Sequence, residues 1–199
     1  MPNRNTSFGL RPNRHITGGV IRTNRYEIAS ALASNIYRGS AVIAVNTTKR
    51  INVAAAGNRL TGVFQQVQYV DANGDVQFRP YWATGTAIKT GTVAEAIVFD
   101  DPDILFTCQV SSASGLVAAD IGTIGDIVVG TGSAVTGNSG DMLDQATLTA
   151  TDATGGQLRV EELFRAEDNA YGQYAKAVVR INEHALRGSA TAGSAASAV

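Results

Sequence analysis

Few residues in this chain have the types and spacing that chemistry needs. It carries two histidines, His15 and His184, and one cysteine, Cys108. Three carboxylates crowd one short stretch at Asp100, Asp101 and Asp103. Such a cluster is raw material for acid–base work or for a hard cation. A zinc site would need His15, Cys108 and His184 to converge, with no paired spacing such as C-x-x-C or H-x-x-x-H. No G-x-S-x-G elbow and no Walker loop occurs. A Ser–His–Asp triad leaves no mark in sequence, so Asp100–Asp103 with His184 is where a dispersed hydrolase site would be sought. The plainer expectation is a solvated acidic turn, because turns lie at the surface. Both histidines are then structural or interfacial, and no catalytic residue, metal or cofactor is expected. Cys108, within ILFTCQV, is expected to be a buried small hydrophobe on a strand.

A second group of oxygen donors sits in DANGD, at Asp71, Asn73 and Asp75. Counted from Asp71 as a calcium loop, position 6 is Val76 and position 12 is Trp82. The EF-hand loop requires Gly and Glu there, so the calcium reading fares worse and a hairpin turn is expected. A two-residue Asn73-Gly74 turn would pair Tyr69 with Phe78, Val67 with Pro80 and Gln65 with Trp82. It would turn Val63, Val67, Tyr69, Phe78, Pro80 and Trp82 to one apolar face. Pro80 lacks an N–H, so its strand lies at an edge or ends there.

Other segments share this strand grammar. Ser40–Asn46 and Arg50–Ala56 flank a Thr-Thr-Lys turn and read as a hairpin. The apolar runs on either side of Asp100–Asp103 read as a second hairpin. Asp126–Gly130 and Ala146–Ala150 are expected to be short strands among Gly- and Ser-rich turns, and 157–164 and 174–184 the last strands. GTGSAVTG lacks the spacing and the helix of a dinucleotide loop. With 199 residues, 44 % hydrophobic, 21 Gly and 4 Pro, the chain is expected to be all-β: an antiparallel barrel or jelly-roll-like sandwich with an extended N-terminal arm. Gly, Asp, Asn or Arg interrupts every apolar run, so no membrane span is expected. The polar start MPNRNTSFGL has no apolar run behind it, so use without export is expected.

Charge is unevenly placed. Residues 1–59 hold nine basic side chains and one acid, +8, whereas 60–199 hold seven basic and sixteen acidic, −9. Such asymmetry marks an interaction surface. Residues 1–25 read as an arm that orders against a partner. Phe8, Leu10 and Ile16 would serve as apolar pegs, and Arg11, Arg14, His15, Arg22 and Arg25 would seek carboxylates. With little aromatic interleaving and an acidic body, nucleic acid is not the expected partner. Residues 26–187 form a single β domain, and 188–199 a low-complexity tail expected to be disordered.

The ordered set FGLRPNRHITGG (8–19), YEIASALASNIYRGSAV (26–42), GVFQQVQYVDANGDVQFRPYW (62–82), VFDDPDILFTCQV (98–110) and AKAVVRINEH (175–184) resembles head decoration (cement) proteins of tailed bacteriophages, of the short-tailed type. The resemblance implies a non-enzymatic β-barrel or jelly roll on the outer surface of the capsid. It implies homotrimers at three-fold positions that clamp neighbouring major capsid protein subunits, with contacts to adjacent decoration subunits. Two other functions stay open: a virion-surface carbohydrate- or receptor-binding module presenting Tyr69, Tyr81 and Trp82, and the dispersed hydrolase.

Overall fold

The computed structural model describes residues 3–45, 49–111, 114–150 and 155–187. Its strands, in chain order, are β1 (Arg11–His15), β2 (Asn24–Ile28), β3 (Ile36–Tyr37), β4 (Ala41–Val45), β5 (Arg50–Val53), β6 (Gly62–Val70), β7 (Val76–Arg79) and β8 (Tyr81–Trp82). They continue with β9 (Ala94–Phe99), β10 (Ile104–Gln109), β11 (Ile124–Gly125), β12 (Ile127–Val128), β13 (Met142–Leu143), β14 (Leu158–Leu163) and β15 (Lys176–Ile181). Two short 3-10 turns accompany them, and the described residues contain no α-helix.

Two sheets make the body. One runs β1-β10-β15-β14-β11 and is antiparallel throughout. The other runs β4-β5-β2-β9-β6-β7, and an extra β4–β6 pairing closes its first five strands into a small barrel. The all-β expectation therefore holds, as a barrel with a companion sheet.

Packing follows the side-chain pattern. All six residues of β10 are buried, because β1 and β15 take its edges and both faces are covered. That is why ILFTCQ reads as a continuous run rather than an alternation. Leu10, Phe106, Leu158, Val160, Val179 and Ile181 meet in one apolar cluster. Ile28, Ile51, Phe64, Val67 and Trp82 fill the barrel. Tyr69 and Trp82 meet edge to face there at 5.8 Å, the favoured aromatic geometry.

The β4–β5 hairpin forms and strands β14 and β15 fall where the sequence indicates, the latter two pairing with each other, and the β6–β7 strand run ends at Pro80. The register of that hairpin does not follow expectation. Gln68, not Tyr69, faces Phe78, and Val67 faces Arg79. The loop holds three residues, Ala72–Gly74, because the Asp71 carboxylate accepts from the Asn73 and Asp75 amides at 2.9 and 3.0 Å. The Gly74 amide donates to the Asp71 carbonyl at 3.0 Å, and Gly74 takes the left-handed φ of +98°. This is a type I turn followed by a glycine bulge. The one-residue change sends Phe78 outward, to 62 % exposure, while Val67, Tyr69 and Trp82 stay inside.

Asp100–Asp103 is not a hairpin turn either. β9 lies between β2 and β6, and β10 between β1 and β15. Neither has an edge left for the other, so the acidic stretch is a crossover between the sheets. Of the expected strand at 146–150, Ala146 and Thr147 lie in a 3-10 turn over Gln145–Thr147, which Asp144 caps by accepting from the Ala146 amide, and Thr149 makes a single bridge to Ile124. The expected disorder of 188–199 and the Thr-Thr-Lys turn at 47–49 fall wholly or partly outside the described residues.

Candidate functional site

Two places gather chemistry, and both are built on the N-terminal segment. Residues 3–15 do not extend from the body. The Asn3 amide group donates to the Ala170 and Gln173 carbonyls, each at 2.8 Å, and its oxygen accepts from the Ala170 amide at 3.0 Å. The Gln109 side chain donates to the Arg4 carbonyl at 2.8 Å. Gly9 and Gly39 both have positive φ where the segment crosses the barrel wall, and a Cβ on Gly9 would lie 2.6 Å from the Gly39 carbonyl oxygen. Only glycine permits that approach. It lets the Leu10 amide donate to Gly39 at 2.9 Å and seats the Leu10 side chain in the core. β1 then pairs along β10. The segment expected to reach for a partner is, over this length, a strand of its own sheet. An uncovered β10 edge and a vacated Leu10 socket would otherwise be left open.

The other arm residues divide accordingly. Arg14 pairs with Glu162 at 2.8 Å and Arg25 with Glu95 at 2.6 Å, both at the surface. Ile16 is partly exposed, and its amide donates to the Asp103 carbonyl at 2.9 Å. Arg22 is exposed beside the acidic crossover. Phe8 and Arg11 line a cleft that is also bordered by Thr107 of β10 and Lys176 of β15.

The first place is the crossover itself. It does not form the solvated turn expected of it. Asp100 is buried, and its carboxylate accepts from the Asn24 side-chain Nδ2 at 2.9 Å and the Tyr26 hydroxyl at 2.7 Å. Burial, then this bond to Asp100, pushes the Tyr26 hydroxyl pKa up. The Thr17 amide donates to His15 Nδ1 at 3.3 Å, so the ring proton sits on Nε2 and is donated to Asp101 at 3.2 Å. The Asp103 amide bond, and then His15 and Arg22, hold the Asp101 carboxyl below its usual range. Asp103 pairs with Arg187. His184, 1 % exposed, lies close enough to feel Asp100 and Asp101. Burial pushes its pKa down to about 4. Its Nδ1 accepts from the Leu186 amide at 3.1 Å and its Nε2 has no partner among the described residues.

His184 and the acidic stretch thus come together, although distant in sequence. The ligand atoms of His15, Asp101 and Asp103 fall within 4.8 Å of one another, a spacing that suits a cation. Yet those donors are engaged by the His15 N–H, the Asp103 amide and Arg187. As arranged, the corner fastens three things: the end of β1, the sheet crossover and the segment after β15. A depression of about 590 Å³, bordered by Arg22, Asn24, Asp101 and Leu186, opens beside it.

The second place is the cleft beyond β1, of about 570 Å³. Phe8, Pro12 and Phe164 supply apolar walls, and Arg4, Arg11 and Lys176 positive charge. Arg11 lies over the Phe8 ring at 5.9 Å and donates to Asn138 Oδ1 at 2.9 Å. Burial, and then Arg38, lower its pKa. The charge asymmetry of the sequence pointed towards this face, but not to Phe164, Asn138 or Lys176, which reach it from distant strands and loops.

Cys108 is buried as expected, and desolvation pushes its thiol up to about 12. Comparison with family models, with curated proteins and with solved structures finds no match.

Proposed function

We propose that this chain is a head decoration (cement) protein of a tailed phage, binding the outer surface of the capsid as a trimer and bracing neighbouring major capsid protein subunits. One observation carries the reading: an apolar edge offered to a partner. β7 is the terminal strand of its sheet, and it holds Val76 and Phe78 at 55 % and 62 % exposure. A glycine-bearing loop abuts Pro80 just beyond, and its tip carries Val135 at 96 % exposure. Large apolar side chains on an open edge are costly to a solitary protein and useful to one that assembles. The resemblance of the ordered segments points the same way. The acidic crossover supports it too, since its carboxylates are spent on joining strands.

The sugar-binding alternative loses its platform, because Trp82 and Tyr69 lie inside the barrel. Undecorated heads mixed with the purified chain provide the test. Heads carrying the wild-type chain should retain their genome to a higher temperature than bare heads, and heads mixed with Phe78→Asp should behave as bare ones. Equal release temperatures for bare and wild-type-treated heads would remove the proposal.

A further inference from the structure

The cleft beyond β1 has the chemistry of a receiving site. We propose that it binds an extended acidic segment of a partner chain, with an aromatic or large aliphatic side chain seated on Phe8, Pro12 and Phe164 and a neighbouring carboxylate held by Arg11 and Arg4. This deepens the decoration reading by naming what the shell would offer, and rests on that reading only for the partner's identity.

Charge is the first argument. Lys176 is answered by Asp168 at 3.1 Å. Arg4, Arg11 and Arg38 have no carboxylate within 4.0 Å among the described residues. Arg11 is half-buried beside the like charge of Arg38. Its Nε donates to the Phe8 carbonyl at 3.4 Å and one terminal nitrogen to Asn138, which fixes the fork and leaves further N–H donors unspent. A fixed, partly desolvated guanidinium without an acid is poised for a carboxylate, which it can take in two parallel bonds. By contrast, Arg14, Arg25 and Arg180 each have their own glutamate.

Shape is the second. The volume suits one large side chain and its flanking backbone. β1 ends its sheet, so a partner strand would be expected to add there, but Pro12 has no N–H and the register slips between Pro12 and Arg14. Both features disfavour strand addition, and recognition falls to side chains. A nucleic acid fits less well, because with Lys176 answered by Asp168 only two lining cations, Arg4 and Arg11, are left for a ligand, too few for a run of phosphates.

The test uses the full chain and three blocked peptides, Asp-Phe-Asp, Asn-Phe-Asn and Asp-Ala-Asp, titrated while backbone amide shifts are followed. Asp-Phe-Asp should move amides of Thr6, Phe8, Asn13 and Thr107 saturably, and both other peptides should bind at least roughly tenfold more weakly. Arg11→Gln and the exposed Arg4→Gln should each weaken Asp-Phe-Asp, while Arg14→Gln should not. Equal binding of the amide peptide, shifts centred elsewhere, or no saturable shift at millimolar peptide would overturn the proposal. Heads that ignore the chain while the peptide binds would remove the decoration reading and leave the cleft standing. Heads that bind Arg4→Gln and Arg11→Gln as well as wild type would remove the cleft's role at the shell.

Discussion

His15 Nε2 donates to Asp101 Oδ2 across 3.2 Å. That contact ties the end of β1 to the crossover between the two sheets, and the Ile16 amide bond to Asp103 lies next to it. Losing one such bond costs about 1 kcal/mol. His15→Ala should therefore lower the melting temperature by a few degrees. It should also speed amide exchange over residues 11–16 more than over β10 or β15. Uniform exchange rates across the sheet would show that the corner fastens nothing. Because the corner is held by protein groups, added chelator should leave the melting temperature unchanged. A drop on chelation would turn the fastening into a cation site.

Two buried groups set the acid response, with opposite signs. Burial raises the Asp141 carboxyl to about 6, against the stabilising amide bond from Ala41 at 3.1 Å. A raised carboxyl contributes stability at low pH, and that contribution is lost as pH rises through about 6. His184, lowered to about 4, contributes above its ordinary value of 6.5, and that contribution is lost as pH falls through about 4. Between these limits the two effects oppose, so wild-type stability should change little. Asp141→Asn keeps an acceptor for Ala41 and removes one effect. It should be more stable than wild type at neutral pH by about 1–3 kcal/mol, a gain that vanishes near pH 4. The variant's urea midpoint should then fall steadily with acid as His184 gains its proton. Parallel midpoint curves for the two proteins would refute this assignment.

The one-residue register of the β6–β7 hairpin makes opposite demands on two aromatic residues. Phe78→Ser should change stability by no more than about 0.5 kcal/mol, as at an ordinary surface site. Trp82→Ala should cost about 3–5 kcal/mol, as for a large core side chain. Comparable losses from both would return Phe78 to the interior.

This hairpin also shows what could be read from the chain. Strand positions followed from alternation and from Gly, Asn and Pro punctuation, so β4, β5, β6, β14 and β15 were legible. The turn type was not, because Asp71 decides it by accepting two backbone amides, and DANGD reads equally well as a two- or three-residue loop. The crossover at Asp100–Asp103 had every local mark of a hairpin. What overrules them is non-local: β2 and β6 already occupy β9, and β1 and β15 occupy β10. Likewise the arginine and apolar content of residues 1–25 was visible, but its use was not. The core socket for Leu10 is assembled from strands throughout the chain. The cleft needs Phe164, Asn138 and Lys176, and no spacing in the sequence connects those to Phe8.

Trimeric decoration of a phage head, as proposed, fixes how many chains a shell can take. Its most direct test is the saturating copy number of the purified wild-type chain on undecorated, expanded heads, measured by quantitative sedimentation. A trimeric decoration protein should bind saturably at three chains per three-fold position of the lattice, so that the total is a multiple of three for every site class. Failure to co-sediment, or a copy number that follows no symmetry of the shell, would contradict it.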